Sequence, residues 1–94
     1  MPYILVRHKV TDYAKWKSIF DGHGTTRKAG GSKGTHLFRN ADDPNEVVIL
    51  MEWDELGKAR QFTGSDELRQ AMEQAGVADR PDIYFLDEVE RQPQ

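Results

Sequence analysis

The order in which this chain alternates apolar and polar side chains restricts it to few folds. Four segments alternate with a period near two and are rich in Val, Ile, Tyr and Phe, which is typical of β-strands. They are Tyr3–Val10, Thr35–Asn40, Glu46–Trp53 and Asp82–Val89. After the first and the third of them, apolar residues recur three and four positions apart, which indicates helices. The sequence therefore predicts the order strand, helix, strand, strand, helix, strand.

The first helix is expected to begin at Thr11–Asp12, where short oxygen-bearing side chains can cap the free N–H groups of its first turn. Its stripe consists of Tyr13, Trp16, Phe20, His23 and Arg27. Glycine in a helix costs up to about 1 kcal/mol relative to alanine, so Gly22 and Gly24 allow two predictions for where this helix ends. The helix stops after Phe20 or continues towards Ala29, and the second half of the segment 22–34 is predicted to be a loop.

The remaining connections carry turn and capping residues. Residues Ala41–Asn45 read Ala-Asp-Asp-Pro-Asn and favour a turn that joins the second and third strands in a hairpin. Asp54 is expected to cap a second helix that ends at Gly64. Ser65 is expected to cap a continuation of that helix, which ends at Gly76.

This order of elements predicts an α+β fold of the ferredoxin-like βαββαβ type. Right-handed crossovers give a four-stranded antiparallel sheet of order 4-1-3-2, with both helices on one face. Residues 1–90 form one domain, because a chain of 94 residues has no room for a second core. Residues 91–94 are a polar tail.

The sheet has too much apolar surface for a monomer with helices on one side. The face opposite the helices carries Leu5, Val48 and Leu50. Burying an apolar patch of about 400 Å² is worth several kcal/mol at ~25 cal/mol per Å². The sequence therefore predicts a homodimer in which two sheets pack face to face. The alternative is a monomer that leaves these side chains exposed.

Charge and composition exclude several classes of function. The net charge of −3 and the absence of a basic stripe argue against a nucleic-acid partner. With no cysteine, the chain has no disulfide, no thiolate nucleophile and no cysteine-bound zinc. The apolar run Tyr3–Val6 is too short for a signal peptide or a membrane span, so we expect a cytoplasmic protein without a membrane partner.

One stretch of the chain resembles a known family. Met51–Phe62 (Met-Glu-Trp-Asp-Glu-Leu-Gly-Lys-Ala-Arg-Gln-Phe) is followed by Ser65–Leu68 (Ser-Asp-Glu-Leu), and Tyr3–Trp16 and Phe38–Asn40 fit the same pattern. The chain thus resembles the antibiotic-biosynthesis monooxygenase-like proteins of the dimeric α/β-barrel superfamily. The resemblance implies the dimeric α/β-barrel fold, and with it a small-molecule pocket between the sheet and the helices. It does not choose an activity, since the group includes cofactor-free oxygenases, haem-degrading enzymes, isomerases, cyclases and ligand-binding domains.

The resemblance also implies roles for single residues. Trp53 stands where oxygenases and haem-degrading members place a pocket tryptophan, and His8 stands where the haem-degrading members carry asparagine. Their axial histidine has no counterpart, because Gly57–Ala75 contains no histidine. We therefore expect no haem and no other cofactor.

The predicted topology brings further candidates to the same end of the sheet. Trp53 ends the third strand, and His23 and Arg27 close the stripe of the first helix near it. An aromatic wall, a histidine that can move a proton and a guanidinium that can hold an anion suit an oxygen-bearing aromatic or enolisable substrate. Trp16 joins them as a substrate-binding candidate. The alternative is that both tryptophans are core residues and that His23 and Arg27 are solvated.

The other two histidines are less constrained. His8 lies on the apolar face shared with Ile4 and Val6, where it is a catalytic candidate or a core residue. His36 is a substrate-binding candidate whose face depends on the register of the hairpin. The spacing of His8, His23 and His36 lacks a metal-binding signature, so no metal site is predicted.

Two functions of different class remain open. The first is a cofactor-independent monooxygenase, or an isomerase or cyclase, that acts on a small aromatic or polyketide-like compound with His8 and His23 as catalytic residues. The second is a non-catalytic domain that binds a metabolite in the same gap or serves for dimerisation. The sequence favours the enzyme only slightly.

Overall fold

The computed structural model describes residues 1–93, so Gln94 of the predicted tail lies outside the described residues. The elements are β1 (Pro2–Lys9), α1 (Tyr13–Gly22), α2 (Gly24–Gly30), β2 (Ser32–Asn40), β3 (Asp43–Trp53), α3 (Leu56–Thr63), α4 (Asp66–Ala75) and β4 (Asp82–Asp87). The βαββαβ order is confirmed, and each helical region consists of two consecutive helices.

The four strands form one antiparallel sheet of order β2-β3-β1-β4, which confirms the predicted ferredoxin-like topology. β1 is a central strand. Ile4 pairs with Met51 of β3 on one side and with Phe85 of β4 on the other. The register places alternate β1 residues on opposite faces of the sheet, as expected from the period of two.

The hairpin differs from its prediction. The turn contains only Ala41 and Asp42, and Asp43 already pairs with Asn40. The side-chain oxygen of Asn40 accepts the N–H of Asp42, which closes the turn with two residues instead of five. Pro44 is tolerated in β3 because the register shifts there, as in a β-bulge.

The first helical region follows the longer of its two predicted ends and corrects one expectation. The chain stays helical as far as Gly30 but breaks at His23, whose N–H bonds to the carbonyls of both Ile19 and Phe20 at 3.2 Å. The predicted loop in the second half of segment 22–34 is wrong, because α2 and the start of β2 occupy it.

The caps follow the sequence in four of five places, one of which is Gly64 at the end of α3. Asp12 accepts the N–H of Lys15, Ser65 accepts that of Leu68, and Gly76 ends α4 with a φ of 76°. Asp54 is not the cap of α3: Glu55 holds that position, and the Asp54 carboxylate instead forms an ion pair with Lys58.

The core lies between the sheet and the helices. Its fully buried members come from β1, β3, α1, α3 and α4 and include Ile4, Val6, Trp16, Val47, Ile49, Met51, Trp53, Ala59 and Ala75. The opposite side of the sheet, here called the open face, carries Leu5, Val48, Leu50, Phe38, Tyr84 and Leu86. Of these, Phe38 and Tyr84 are more than half exposed. The apolar second face is therefore present as predicted.

In the described chain, each helix is too short to span a bilayer as an apolar segment.

Gly31 links α2 to β2 in a conformation that other residues avoid. Its φ is 121°, and a Cβ atom there would lie 2.5 Å from Asp54 Oδ1 and 2.8 Å from Trp53 Nε1. We expect Gly31→Ala to lower the free energy of unfolding by about 1–3 kcal/mol, because both the backbone and the contact are strained. Urea denaturation measures this.

Gly22→Ala is the matched control. Gly22 has no positive φ, and a Cβ atom there would meet nothing within 4 Å. Its substitution should leave the stability unchanged or raise it slightly. Equal stability of the two variants would contradict the close packing of Gly31 against Trp53.

Candidate functional site

A cavity of about 70 Å³ lies between the sheet and all four helices. Most of its lining is apolar and consists of Val6, Ile49 and Met51 from the sheet with Trp16, Ile19, Phe20, Phe62, Leu68, Ala71, Met72 and Ala75 from the helices. Its polar lining consists of His8, His23, Thr26, Arg27, Thr63 and Glu67. Thr26 of α2 and Glu67 of α4 are exposed, so the cavity opens beside these two side chains. This is the gap between sheet and helices in which the sequence predicts a pocket.

A row of rings forms one wall of this cavity. The Trp16 ring stacks on Phe20 with centroids 4.9 Å apart and meets His8 edge-on at 5.7 Å. At the other end of the row, the Arg27 guanidinium lies 3.9 Å above the centre of the Phe20 ring. The wall therefore connects Arg27 near the opening with His8 in the interior.

Within residues 1–93, His8 is the one polar residue buried in the core, with 1% of its surface exposed. Its Nδ1 atom is buried and has no hydrogen-bond partner within residues 1–93. Burial lowers the pKa of His8 below its ordinary value, since a charged imidazolium would lose its hydration. At neutral pH the ring is therefore uncharged and can accept a proton from a molecule in the cavity.

His23 and Arg27 line the same cavity. His23 is half-buried at the break between α1 and α2. Arg27 Nη1 donates to the carbonyl oxygen of Phe20 at 2.7 Å, which fixes the guanidinium beside the ring. Desolvation lowers the pKa of Arg27 from its usual value.

Trp53 lies behind the cavity wall and not in it, contrary to its expected position. Its side chain is completely buried, and its indole Nε1 donates to the carbonyl oxygen of Gly30 at 3.0 Å. Its ring packs on Phe62, with centroids 4.8 Å apart, and Phe62 takes the place at the cavity. The reason is that α2 ends directly over Trp53 and shields it.

His36 lies on the open face, away from the cavity. It pairs with Leu50 of β3 and is exposed, with its ring 6.4 Å from that of Phe38. The sheet therefore separates His36 from His8 and His23. Across residues 1–93, no three His, Asp or Glu side chains come together as a group of metal ligands.

Several lining residues were not identified as site residues from the sequence. The signal that could have found Phe62, Leu68 and Met72 is their apolar spacing on α3 and α4, because a helix that covers a sheet can line a gap as well as fill it. Glu67 and Thr63 carry no such signal.

The comparisons with known proteins agree on one group. Residues 13–74 match the antibiotic biosynthesis monooxygenase family. No protein of curated function matches the chain by sequence.

Three solved structures share the fold at low sequence identity. A protein of the antibiotic biosynthesis monooxygenase type from Bordetella bronchiseptica is 14% identical with a TM-score of 0.81, covering 95% of this chain and 97% of its own. SnoaB, a cofactor-independent oxygenase from Streptomyces nogalater, is 15% identical with a TM-score of 0.81 and coverages of 99% and 97%. A further protein of this type from Caulobacter crescentus is 21% identical, with a TM-score of 0.76 and coverages of 95% and 90%.

The neutral state of His8 makes the stability depend on pH. The folded pKa of His8 lies below the ordinary value of 6.5, so between the two values the unfolded chain binds a proton that the folded chain does not. The free energy of unfolding should therefore fall as the pH drops from about 7 to about 5.5. His8→Phe should weaken this dependence.

NMR titration of the His8 ring and urea denaturation of both proteins check this. The carboxylates with lowered pKa values, Asp43, Glu46, Asp54 and Asp79, lose their contribution only below about pH 5, outside the measured range. A His8 ring that titrates at or above its ordinary pKa would contradict the burial of a neutral imidazole.

Proposed function

Because this chain belongs to the antibiotic biosynthesis monooxygenase family, we propose that it is a cofactor-independent oxygenase of small enolisable aromatic compounds. The observation that supports this is the placement of His8, a buried histidine with an unpartnered Nδ1, on an apolar cavity. The structural neighbour SnoaB is a cofactor-independent oxygenase, which favours the same class.

The proposed reaction begins with proton transfer to His8. Removal of a C–H proton next to a carbonyl leaves an electron-rich enolate, and an apolar cavity excludes the water that would return the proton. The enolate carbon reacts with dioxygen and forms a C–O bond, and the peroxide anion takes the proton back from His8 to give a hydroperoxide. Loss of water from the resulting hydroperoxide gives a new carbonyl, so that a CH₂ group and O₂ become a C=O group and H₂O.

The other lining residues have supporting roles in this proposal. Trp16 and Phe20 provide a flat aromatic surface for the ring of the substrate. His23 can accept the second proton nearer the opening. At about 70 Å³ the enclosed space holds only part of a ring compound, because an apolar cavity that binds benzene measures about 150 Å³, so the rest of the substrate lies at the cavity opening.

The position of Trp53 supports a second candidate function. The indole of Trp53 is buried in the core and donates to the Gly30 carbonyl, so the cavity lacks Trp53, which is the pocket tryptophan that the resemblance to oxygenases implies. A non-catalytic metabolite-binding domain needs only the apolar cavity. Isomerase or cyclase chemistry would share the proton transfer and omit dioxygen.

Proton exchange and oxygen uptake separate these functions. With 2-tetralone, a bicyclic enolisable ketone, we expect the protein to accelerate C–H exchange in D₂O, followed by NMR, and to consume oxygen at an electrode without added cofactor. His8→Phe should slow both by about a hundredfold or more, since a positioned general base contributes 10²–10⁴-fold.

The outcomes are distinct. Exchange without oxygen uptake would indicate an isomerase, and binding without exchange would indicate a metabolite-binding domain. Circular dichroism of His8→Phe serves as the control for folding. Exchange at the wild-type rate in a folded His8→Phe protein would contradict the role of His8.

We also propose that the protein is a homodimer joined through the open face. The six apolar side chains of that face include Phe38 and Tyr84, both more than half exposed. Contiguous apolar surface of this kind marks an interaction site in soluble proteins, and a second copy presents the same face.

Light scattering tests the dimer. We expect a mass of twice the 10.8 kDa of one chain. Leu50→Lys, in the middle of the open face, should give a monomer because it would bury an unpaired charge. Lys15→Glu, an exposed change on α1, is the control and should remain dimeric. A wild-type mass of one chain at micromolar concentration would disprove the proposal.

A further inference from the structure

We infer that the ligand of this cavity carries a carboxylate, which the guanidinium of Arg27 binds at the cavity opening. The inference rests on the proposed function in one respect: the same cavity holds the apolar part of the ligand. It adds the charge of the ligand and its direction, with the carboxylate towards α2 and the apolar end towards His8.

Arg27 is held in place before any ligand binds. Its guanidinium stacks on the Phe20 ring at 3.9 Å, and its Nη1 donates to the Phe20 carbonyl at 2.7 Å. A guanidinium has five N–H donors in a planar fork, and this bond uses one. In residues 1–93, Nε and Nη2 have no hydrogen-bond partner, so two edges of the fork remain for an anion.

The charge of Arg27 is balanced less fully than that of three of the six other arginines, although the carboxylate of Asp21 is near enough to act on its pKa in the raising direction. Arg7, Arg69 and Arg91 each lie within 3.2 Å of a carboxylate oxygen. Arg27 forms no ion pair in the described part of the chain, although it is half-buried. A partly desolvated cation without an anion is unfavourable, and a bound carboxylate would remove that cost with a charge-assisted hydrogen bond.

The position of Arg27 is not explained by a role in satisfying the last carbonyl groups of α1. The Phe20 carbonyl already accepts the N–H of His23 at 3.2 Å, so it is satisfied without the guanidinium. Arg39 and Arg60 also stack on aromatic rings, over Tyr13 and Phe85, but both are exposed. Arg27 differs from them in facing the cavity.

The lining favours a carboxylate over a phosphate. Among the described lining residues, Arg27 is the one side chain of the lysine or arginine type. Glu67 lines the same cavity from α4 and carries a negative charge. A phosphate dianion would meet one cation and one carboxylate, whereas a single negative charge is matched by Arg27 alone.

Three one-ring probes of similar shape test the inference: benzoate, benzamide and benzylammonium. Calorimetry at low salt should show benzoate binding about tenfold or more tightly than benzamide, as expected for a hydrogen bond to a charged group. Benzylammonium should bind more weakly than benzamide. Arg27→Gln should lower the affinity for benzoate much more than that for benzamide, so that the preference for benzoate is lost.

Failure of the inference differs from failure of the proposed function. Equal affinity of the wild type for benzoate and benzamide would overturn the carboxylate and leave the cavity function standing. Binding of none of the probes would overturn both. A folded Arg27→Gln protein that still prefers benzoate would also overturn the inference. If Arg27→Gln does not fold, the ranking of the three probes by the wild type decides.

Glu67→Gln is the complementary variant. Because it removes the negative charge of the lining, benzoate should bind more tightly, while benzamide should bind as before. Tighter benzoate binding supports a carboxylate in this cavity, and weaker benzoate binding would contradict it. Inorganic phosphate should not displace benzoate, and displacement would overturn the choice of carboxylate over phosphate.

Discussion

The alternation of β1 is the constraint on which the rest of the structure depends. This strand pairs with β3 and β4 at once, so each of its residues is fixed to one face of the sheet. Val6 and His8 point to the helices, and Leu5 and Arg7 point to the open face. Arg7 then joins three segments, because it forms ion pairs with Glu46, Asp79 and Asp82. A shift by one residue would exchange the two faces and remove the cavity.

The elements and topology could be predicted because they depend on periods that the sequence displays. The face of His8 followed from its neighbours in β1 alone. The end of the first helix could not be predicted, since it depends on the break at His23, where one N–H is shared by two carbonyls. The short hairpin turn depended on the side chain of Asn40, and a run of five turn-forming residues does not show which two of them turn.

Trp53 shows a second limit of sequence reasoning. A period of two identifies the face on which a side chain lies but not the depth at which it lies within that face. The depth of Trp53 is set by Gly30 and Gly31, whose backbone approaches the indole because neither has a side chain. These glycines are 22 or more positions away in the sequence, and only the packing of α2 relates them to Trp53. The prediction for His36 had a different limit, because the face of the sheet on which its side chain lies depends on the hairpin register.

The two faces of the sheet can be changed separately, although they share every strand. Leu50 belongs to the open face, and its neighbours Ile49 and Met51 line the cavity. A homodimer formed through Leu50 would therefore hold β3 in place without adding a side chain to the cavity. The polarity of the cavity is set by this chain's own His8 and Arg27, one uncharged and deep and the other charged and near the opening. An oriented ligand follows from that difference, because an anionic group is favoured at only one end of an otherwise apolar space.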